Sequence, residues 1–470
     1  MPPTEKAMND SELQSILDQY DQTHLVQFWE ELNADQQSQL ADQIRGIDFE
    51  LLKSLNQGEY TEHDWASLAA KAELPPAITS EQLKSGDEFE AAVKAGEQAI
   101  AAGQVAMILV AGGQGSRLGF EHPKGMFPIG PISDHSLYQI IMEKAKARAS
   151  QFGSTIPFYI MTSPPTHQES SQFLSENNYF NYGQADVQLF CQGTMPAVDS
   201  DGKLLLEDKD RVFVSPDGHG GTLAALSNSG CLADMQKRGI KYVFYGQVDN
   251  PLIQVCDPAL IGYHILRHSE MTSQVVRKSE PLQKVGNVVS VDGVVQVIEY
   301  SDLPEQYARQ TDADGNLKLW AGSIAVHVFD FAFLVSANEN ADSLPFHRAS
   351  KKVPFVDANG QQVKPESPNA TKFEKFIFDL MPSANNAIVC EVDAAEGFCA
   401  VKNAPPAPSE TPEHVRQAIS DLHTSWLKQC DAEVADGVKI EINPMFAVDA
   451  KQLSNKVNGS EKFTEDTYLE

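Results

Sequence analysis

Val105-Ala106-Met107-Ile108-Leu109-Val110-Ala111-Gly112-Gly113-Gln114-Gly115-Ser116-Arg117-Leu118-Gly119 decides how this chain folds. Its first six residues are apolar without alternation, and glycines stop them. A short run of that kind predicts a strand buried on both faces, as in a parallel sheet covered by helices. Comparable runs follow at 157–161, 187–190, 242–248, 273–276 and 324–329, and helical stretches at 137–149, 222–237 and 258–267 separate several of them. The alternation predicts βαβ units. Asp292-Gly293, between the apolar stretches 287–291 and 294–298, instead predicts a hairpin with a primed turn. The expected fold class is therefore α/β, with a mixed, mostly parallel sheet.

Upstream, Leu13, Ile16, Leu17 and Tyr20 share one helix face, with Ser11 as N-cap, and Leu25, Phe28, Trp29 and Leu32 repeat the spacing. After the break at Leu74-Pro75-Pro76, Ser80 is expected to open a helix reaching Ala102. Downstream, Pro405-Pro406-Ala407-Pro408 reads as a stiff linker, 412–428 as a helix, 438–442 as a strand, and the acidic residues 461–470 as a disordered tail. These breaks divide the chain into a helical N-terminal domain (1–102), a core (103–394) and a small C-terminal α+β module (395–470).

Among 470 residues, 36 Lys and Arg face 65 Asp and Glu, a formal charge of −29. Such a polyanion is a poor binder of nucleic acid or anionic membrane, which need clustered cations. No apolar run approaches the ~20 residues of a membrane span. The N-terminus does not read as a secretory signal, and six cysteines lack CxxC spacing, which predicts a cytoplasmic protein without structural zinc or disulfides.

The glycine-rich stretch offers backbone N–H groups to an anion at the carboxyl end of its strand. It fails the P-loop spacing, because no Lys-Ser or Lys-Thr follows a matching glycine pair. It also fails G-x-G-x-x-G, because Gly119 arrives one place late. Two cations remain on it, Arg117 and Lys124, seven residues apart. On so acidic a chain the pair points to a polyanionic ligand.

Extended to Pro123-Lys124, this segment resembles the activation motif of nucleotidyltransferases that make nucleotide sugars. Further segments resemble motifs of eukaryotic-type UDP-N-acetylhexosamine pyrophosphorylases, in order along the chain. They are Phe190-Cys191-Gln192-Gly193-Thr194-Met195-Pro196-Ala197, Ser215-Pro216-Asp217-Gly218-His219-Gly220-Gly221, Gln247-Val248-Asp249-Asn250-Pro251, Gly286 with Val297-Ile298-Glu299-Tyr300-Ser301, Trp320-Ala321-Gly322-Ser323-Ile324-Ala325, 372–379 and Val401-Lys402-Asn403. The resemblance implies a Rossmann-like nucleotidyltransferase core and transfer of a uridylyl group from UTP to a sugar 1-phosphate, with Mg²⁺ or Mn²⁺. It implies that Gly112, Gly113, Gln192 and Gly218 hold the uridine. Arg117, Lys124 and Lys402 would serve the phosphates and Asp249 the metal. His219, Asn250, Gly286, Glu299 and Ser323 would face the sugar. The C-terminal module, carrying Lys402, would be a lid.

Two positions depart from the family pattern: His219 and Ser323 stand where it usually has Asn. A Gly-His-Gly context is closer to UDP-glucose pyrophosphorylases, so a UDP-glucose or broad-specificity enzyme is the alternative to one acting on N-acetylglucosamine 1-phosphate. A non-catalytic nucleotide-sugar sensor is a third reading, and the retained Arg117, Lys124, Asp249 and Lys402 speak against it. The expected partners are small molecules; the sequence leaves the oligomeric state open and is compatible with a monomer.

Overall fold

The computed structural model describes residues 11–57, 64–339 and 344–470. Ten strands among them form one sheet: β1 (Ala77–Ile78), β2 (Val105–Val110), β3 (Phe158–Thr162), β4 (Val187–Cys191), β5 (Tyr242–Gln247), β6 (Met271–Arg277), β7 (Asn287–Val291), β8 (Val294–Ile298), β9 (Ala321–Asp330) and β10 (Ala387–Glu391). Their order is β1-β10-β6-β9-β5-β2-β3-β4, and the β7–β8 hairpin joins through β7 to β9. Strand β2 lies parallel to both β3 and β5, whereas β9 runs antiparallel to β5 and β6. The mixed α/β sheet expected from the apolar runs is thus observed. Residues 105–109 and all of β3 are buried, as strands covered on both faces must be. Asp292 (φ 52°) and Gly293 (φ 86°) both take the left-handed conformation that a primed turn demands.

The chain divides into two compact units. The first comprises the described parts of Met1–His63, with Gly193–Gly221 and Ser343–Ile377. Here the helices Ser11–Gln19, Ala34–Arg45 and Phe49–Gln57 bury Leu13, Leu17, Leu40, Ile44 and Leu52 against Val198, Leu204, Val212 and Phe373.

The second unit holds the large sheet, together with Asp64–Gln192, Thr222–Asp342 and Phe378–Glu470. Its borders differ from the expected ones at 102 and 394. Ala69 and Ala72 share a core with Val289 and Ile298 of the hairpin. The helix Asp87–Ala101 packs on Pro258–Leu266 at backbone contact: a Cβ on Gly96 would lie 1.9 Å from Pro258 O, and one on Gly262 1.7 Å from Ala92 O. Periodicity shows that a helix has an apolar face, but not what covers it.

Local differences have local causes. The expected helix 222–237 breaks at Gly230 (φ 78°) into Thr222–Asn228 and Cys231–Arg238. The stretch 25–32 forms short 3₁₀ turns, Thr23–Val26 and Trp29–Glu31. Ser11 is the first helical residue rather than the cap, and the helix expected from Ser80 begins at Asp87, after Gly86 (φ 99°). The acidic tail is ordered: Lys462–Phe463 pairs with Glu433–Val434 and Thr467–Leu469 with Ile440–Ile442. Partner strands distant in sequence settle that segment, which its charge alone argued against.

Helices that touch at two glycines leave no room for a methyl group. Gly262→Ala is expected to destabilise the protein by roughly 1–3 kcal/mol or more through overpacking. A thermal or urea unfolding midpoint equal to that of the unaltered chain would contradict this.

Candidate active site

The glycine-rich loop is folded on itself. Gly115 N donates to His122 O (2.8 Å), Lys124 N to Gly113 O (3.0 Å) and Phe120 N to Gly115 O (3.2 Å). A Cβ on Gly115 would sit 2.6 Å from Phe120 O, so only glycine permits this closure. At Gly112 a Cβ would lie 2.7 Å from Gln192 Oε1. Gly112 and Gln192, both expected at the uridine, are therefore neighbours, at the ends of β2 and β4. Ser163, at the end of β3, donates through Oγ to Gly112 O (2.6 Å) and completes this floor. Its position just past an apolar strand was the available sequence signal. Gly113 is exposed, with no protein atom within 4 Å of where a Cβ would point.

Asp249 follows β5, and Val248 N continues the pairing by donating to Val110 O (3.0 Å). The sheet thereby sets Asp249 beside the root of the glycine loop. Lys124 Nζ lies 3.6 Å from Asp249 Oδ2 and 3.4 Å from Val401 O. Val401 N donates back to Asp249 O (2.9 Å), and Ala404 N to Arg117 O (3.0 Å). Residues 401–404 thus hold the chain at both Arg117 and Asp249. The guanidinium side of Arg117 is exposed and has no carboxylate partner among the described residues. Lys402 Nζ rests 3.1 Å from Glu410 Oε1.

Asn250, expected at the sugar, is instead buried and used internally. Its Nδ2 donates to Gly397 O (2.9 Å), and its Oδ1 accepts from Cys399 N (3.0 Å) and Leu252 N (3.3 Å). It staples the Asp249 turn to the segment carrying Lys402. A second brace is Lys144, whose Nζ donates to Pro251 O (2.5 Å) and Ile253 O (3.2 Å). Desolvation, aided by the charge of Arg148, lowers this lysine to about 7. Nothing in the helical sequence around Lys144 signals that role.

Three expected sugar residues meet at the open end of the hairpin. A Cβ on Gly286 would stand 3.0 Å from Glu299 Oε1, and Ser323 N donates to Gly286 O (2.8 Å). The β6–β9 register slips beside Ser323, where Ala325 (φ 54°) is left-handed, so a bulge re-aims this part of β9. Lys278, not singled out from the sequence, lies buried close by, with Nζ 2.5 Å from Asn287 Oδ1; burial pushes it down to about 8.

Gly218 and His219 belong to the first unit. Gly218 (φ 85°) tolerates no Cβ, which would meet Lys375 O at 2.3 Å. Ile377 N donates to His219 Nδ1 (3.1 Å), so the neutral ring carries its proton on Nε2. Burial, and next the charge of His347, lowers His219 to about 4. It is a neutral Nε2–H donor at physiological pH. Its ring stacks on Phe376 at 5.1 Å, so Phe376 supports the histidine, while Phe378 is core.

Asp217 is raised to about 6 by burial, and its Oδ1 has no hydrogen-bond partner among the described residues. A raised carboxyl contributes stability that is complete below the unfolded value near 3.8 and is lost as pH rises through about 6. Asp217→Asn should therefore raise the unfolding midpoint at pH 8 and change it little at pH 4, a gain of about 2–3 kcal/mol at most. Equal shifts at both pH values would refute the burial account.

Among the described residues no three His, Cys, Asp or Glu side chains gather as a ready-made metal cluster. The donor set at Asp249 is one carboxylate beside one lysine. That suits magnesium, which keeps waters and takes one or two protein carboxylates alongside substrate phosphates.

Residues 55–407 match the family described as UTP--glucose-1-phosphate uridylyltransferase. Over 442 residues the chain is 36% identical to the UDP-N-acetylhexosamine pyrophosphorylase-like protein 1 of Homo sapiens, covering 91% of this chain and 87% of the human one. It is 37% identical over 389 residues to the UDP-N-acetylglucosamine pyrophosphorylase of Saccharomyces cerevisiae, covering 81% of this chain and 82% of the yeast protein. The solved structure of the uridine diphosphate N-acetylglucosamine pyrophosphorylase of Trypanosoma brucei matches with a TM-score of 0.81 at 25% identity, over 99% of this chain and all of that one. The ordered motifs, the sheet that carries them and these matches agree: the chain belongs to the UDP-sugar pyrophosphorylase (UTP--glucose-1-phosphate uridylyltransferase) family.

Proposed function

We propose that this protein joins UTP to N-acetyl-α-D-glucosamine 1-phosphate, forming UDP-N-acetylglucosamine and diphosphate. The observation that carries this reading is the meeting of Lys124, Asp249 and residues 401–404 at the carboxyl ends of β2 and β5, next to the Gly112–Gln192 floor.

The attacking group is a phosphate oxygen of the sugar phosphate, already anionic at neutral pH. It needs no general base, which agrees with a neutral His219. The work is positioning two polyanions and stabilising the charge that develops on departing diphosphate. Gly112, Gly113 and Gln192 would seat the uridine, with the Gln192 amide available to a base edge. Arg117, Lys124 and Lys402 would neutralise phosphate charge, Arg by its planar fork and the lysines as point charges. Asp249 would hold Mg²⁺, which supplies charge neutralisation at the phosphate oxygens when bound. Lys124, 3.6 Å from Asp249 Oδ2, would direct its ammonium to the phosphates beside that carboxylate. Glu299, Ser323 and the Gly286 backbone would contact the sugar.

The sugar itself is the point where a second reading has support. The family description names glucose, and the human and yeast relatives' names carry N-acetylated sugars; by the motif resemblance, His219 and Ser323 stand where those enzymes usually have Asn. A histidine offering only Nε2–H presents one donor where an Asn amide presents donor and acceptor.

Diphosphate release from UTP should therefore be fastest with N-acetylglucosamine 1-phosphate in a panel of N-acetylated and plain hexose 1-phosphates. Preference for glucose 1-phosphate would favour the second reading, and no turnover with any sugar would end both. His219→Asn should change the ratio of kcat/KM values between the sugars without changing KM for UTP to the same extent.

Lys402→Ala should lower kcat by 10²–10³, the scale of a lost transition-state charge contact, while UTP affinity falls far less. Equal losses in both would mark Lys402 as an anchor of the ground state only.

A further inference from the structure

We propose that Glu410 is a positioning residue, the resting partner of Lys402, whose carboxylate must give up the lysine before the lysine can serve substrate phosphate. The proposal rests on the reading of Lys402 as a phosphate-directed lysine and adds to it a competitor built into the same chain.

Glu410 binds the lysine's residue twice over. Its backbone carbonyl accepts from Lys402 N (2.8 Å) and Asn403 N (3.0 Å), and its side chain meets Lys402 Nζ at 3.1 Å. The residue is pinned further by its N, which donates to His414 Nδ1 (3.3 Å), and by Asn403 Nδ2, which donates to the preceding carbonyl, Ser409 O (3.2 Å), and to Glu410 Oε2 (3.5 Å). These contacts close residues 403–409 into a loop whose near end is tied through Ala404 to Arg117. Backbone anchoring is thus independent of the ion pair. The ammonium can leave the carboxylate while residues 401–403 stay in place.

The conformation of Glu410 adds a second observation. It is left-handed, with φ 59°, a region that side-chain-bearing residues rarely adopt and that glycine enters without strain. A carboxylate is kept where glycine would fit more easily, and the group it meets is the lysine. Lys124 repeats the arrangement at the same place, with the Asp249 carboxylate at 3.6 Å. Each of the two lysines here is thus held by a carboxylate. Asp249 has a second use, as the proposed ligand of the ion, whereas the only cation that the Glu410 carboxylate meets among the described residues is Lys402, its other contact being Asn403 Nδ2 at 3.5 Å. An anion held beside a phosphate-directed cation opposes substrate until the cation leaves it.

Lys402 and Glu410 are 31% and 33% exposed, so water screens their attraction. Pairs of this kind are worth little, and their loss corresponds to a roughly two- to fivefold effect. The free enzyme must break the pair on the way to the transition state, whether on binding or later, so kcat/KM registers the cost in either case.

The experiment is a double-mutant cycle on the full chain at low ionic strength, with Glu410→Gln, Lys402→Ala and the double variant. Glutamine keeps the shape and both backbone bonds while removing the charge. Glu410→Gln is expected to raise kcat/KM for UTP two- to fivefold, with the gain shrinking near 1 M salt. In the Lys402→Ala background the same change should bring no gain. A fall or no change on Glu410→Gln, or an equal gain with and without Lys402, would overturn the proposal. A purely structural role predicts loss, not gain. Unaltered kcat/KM in Lys402→Ala alone would instead refute the assignment of Lys402, a failure distinct from that of Glu410.

Discussion

The contact between Lys124 and Asp249 is the constraint on which the site depends. Opposite charges 3.6 Å apart are unremarkable on a surface, but here the backbone that carries each of them is held in place. Asp249 is placed by the pairing of β5 with β2 and clamped by Asn250, Lys144 and Val401. Lys124 is placed by a loop that closes only because Gly115 lacks a Cβ. The pair therefore arrives preassembled, on backbone already ordered before any ligand binds. Such preorganisation matters most for a reaction whose catalysis is charge placement with little covalent work by the protein.

A molecule of charge −29 must hold its cations close together if it is to attract a polyanion. The folding of residues 401–404 onto Arg117 and Asp249 does so, drawing three basic residues from segments nearly 300 positions apart in sequence. The same crowding supplies each lysine with an acidic neighbour. On the proposed function, such anionic neighbours would cost affinity for phosphate and add specificity, because a ligand would have to displace them.

The core of the fold was legible because buried parallel strands leave a strong local trace. The uninterrupted run 105–110 and the Asp-Gly hairpin were recovered nearly to the residue, since burial on two faces and a left-handed turn are local demands on side-chain type. The grouping of helices into units was not. Gly96 meets Pro258 and Gly262 meets Ala92 because two helices far apart in sequence pack at backbone distance, and neither glycine announces its partner. Asn250 shows the same limit at the site. An asparagine following a strand-end aspartate is open to ligand contact or to internal capping, and the choice depends on the carbonyl of Gly397 and the amide of Cys399.

By itself the sequence determined the strand–loop chemistry: an apolar run must be buried, a glycine cluster must bend, and Arg117, Lys124 and Asp249 must lie at strand ends where backbone donors are exposed. Only the tertiary structure decided which of these residues touch, that Asn250 braces the Asp249 turn, that Lys144 is desolvated and Lys278 buried, and that Glu410 faces Lys402. The physical reason is range. Burial, turn geometry and helix periodicity act within about ten residues, whereas a hydrogen bond or ion pair formed across hundreds depends on packing that no single segment encodes.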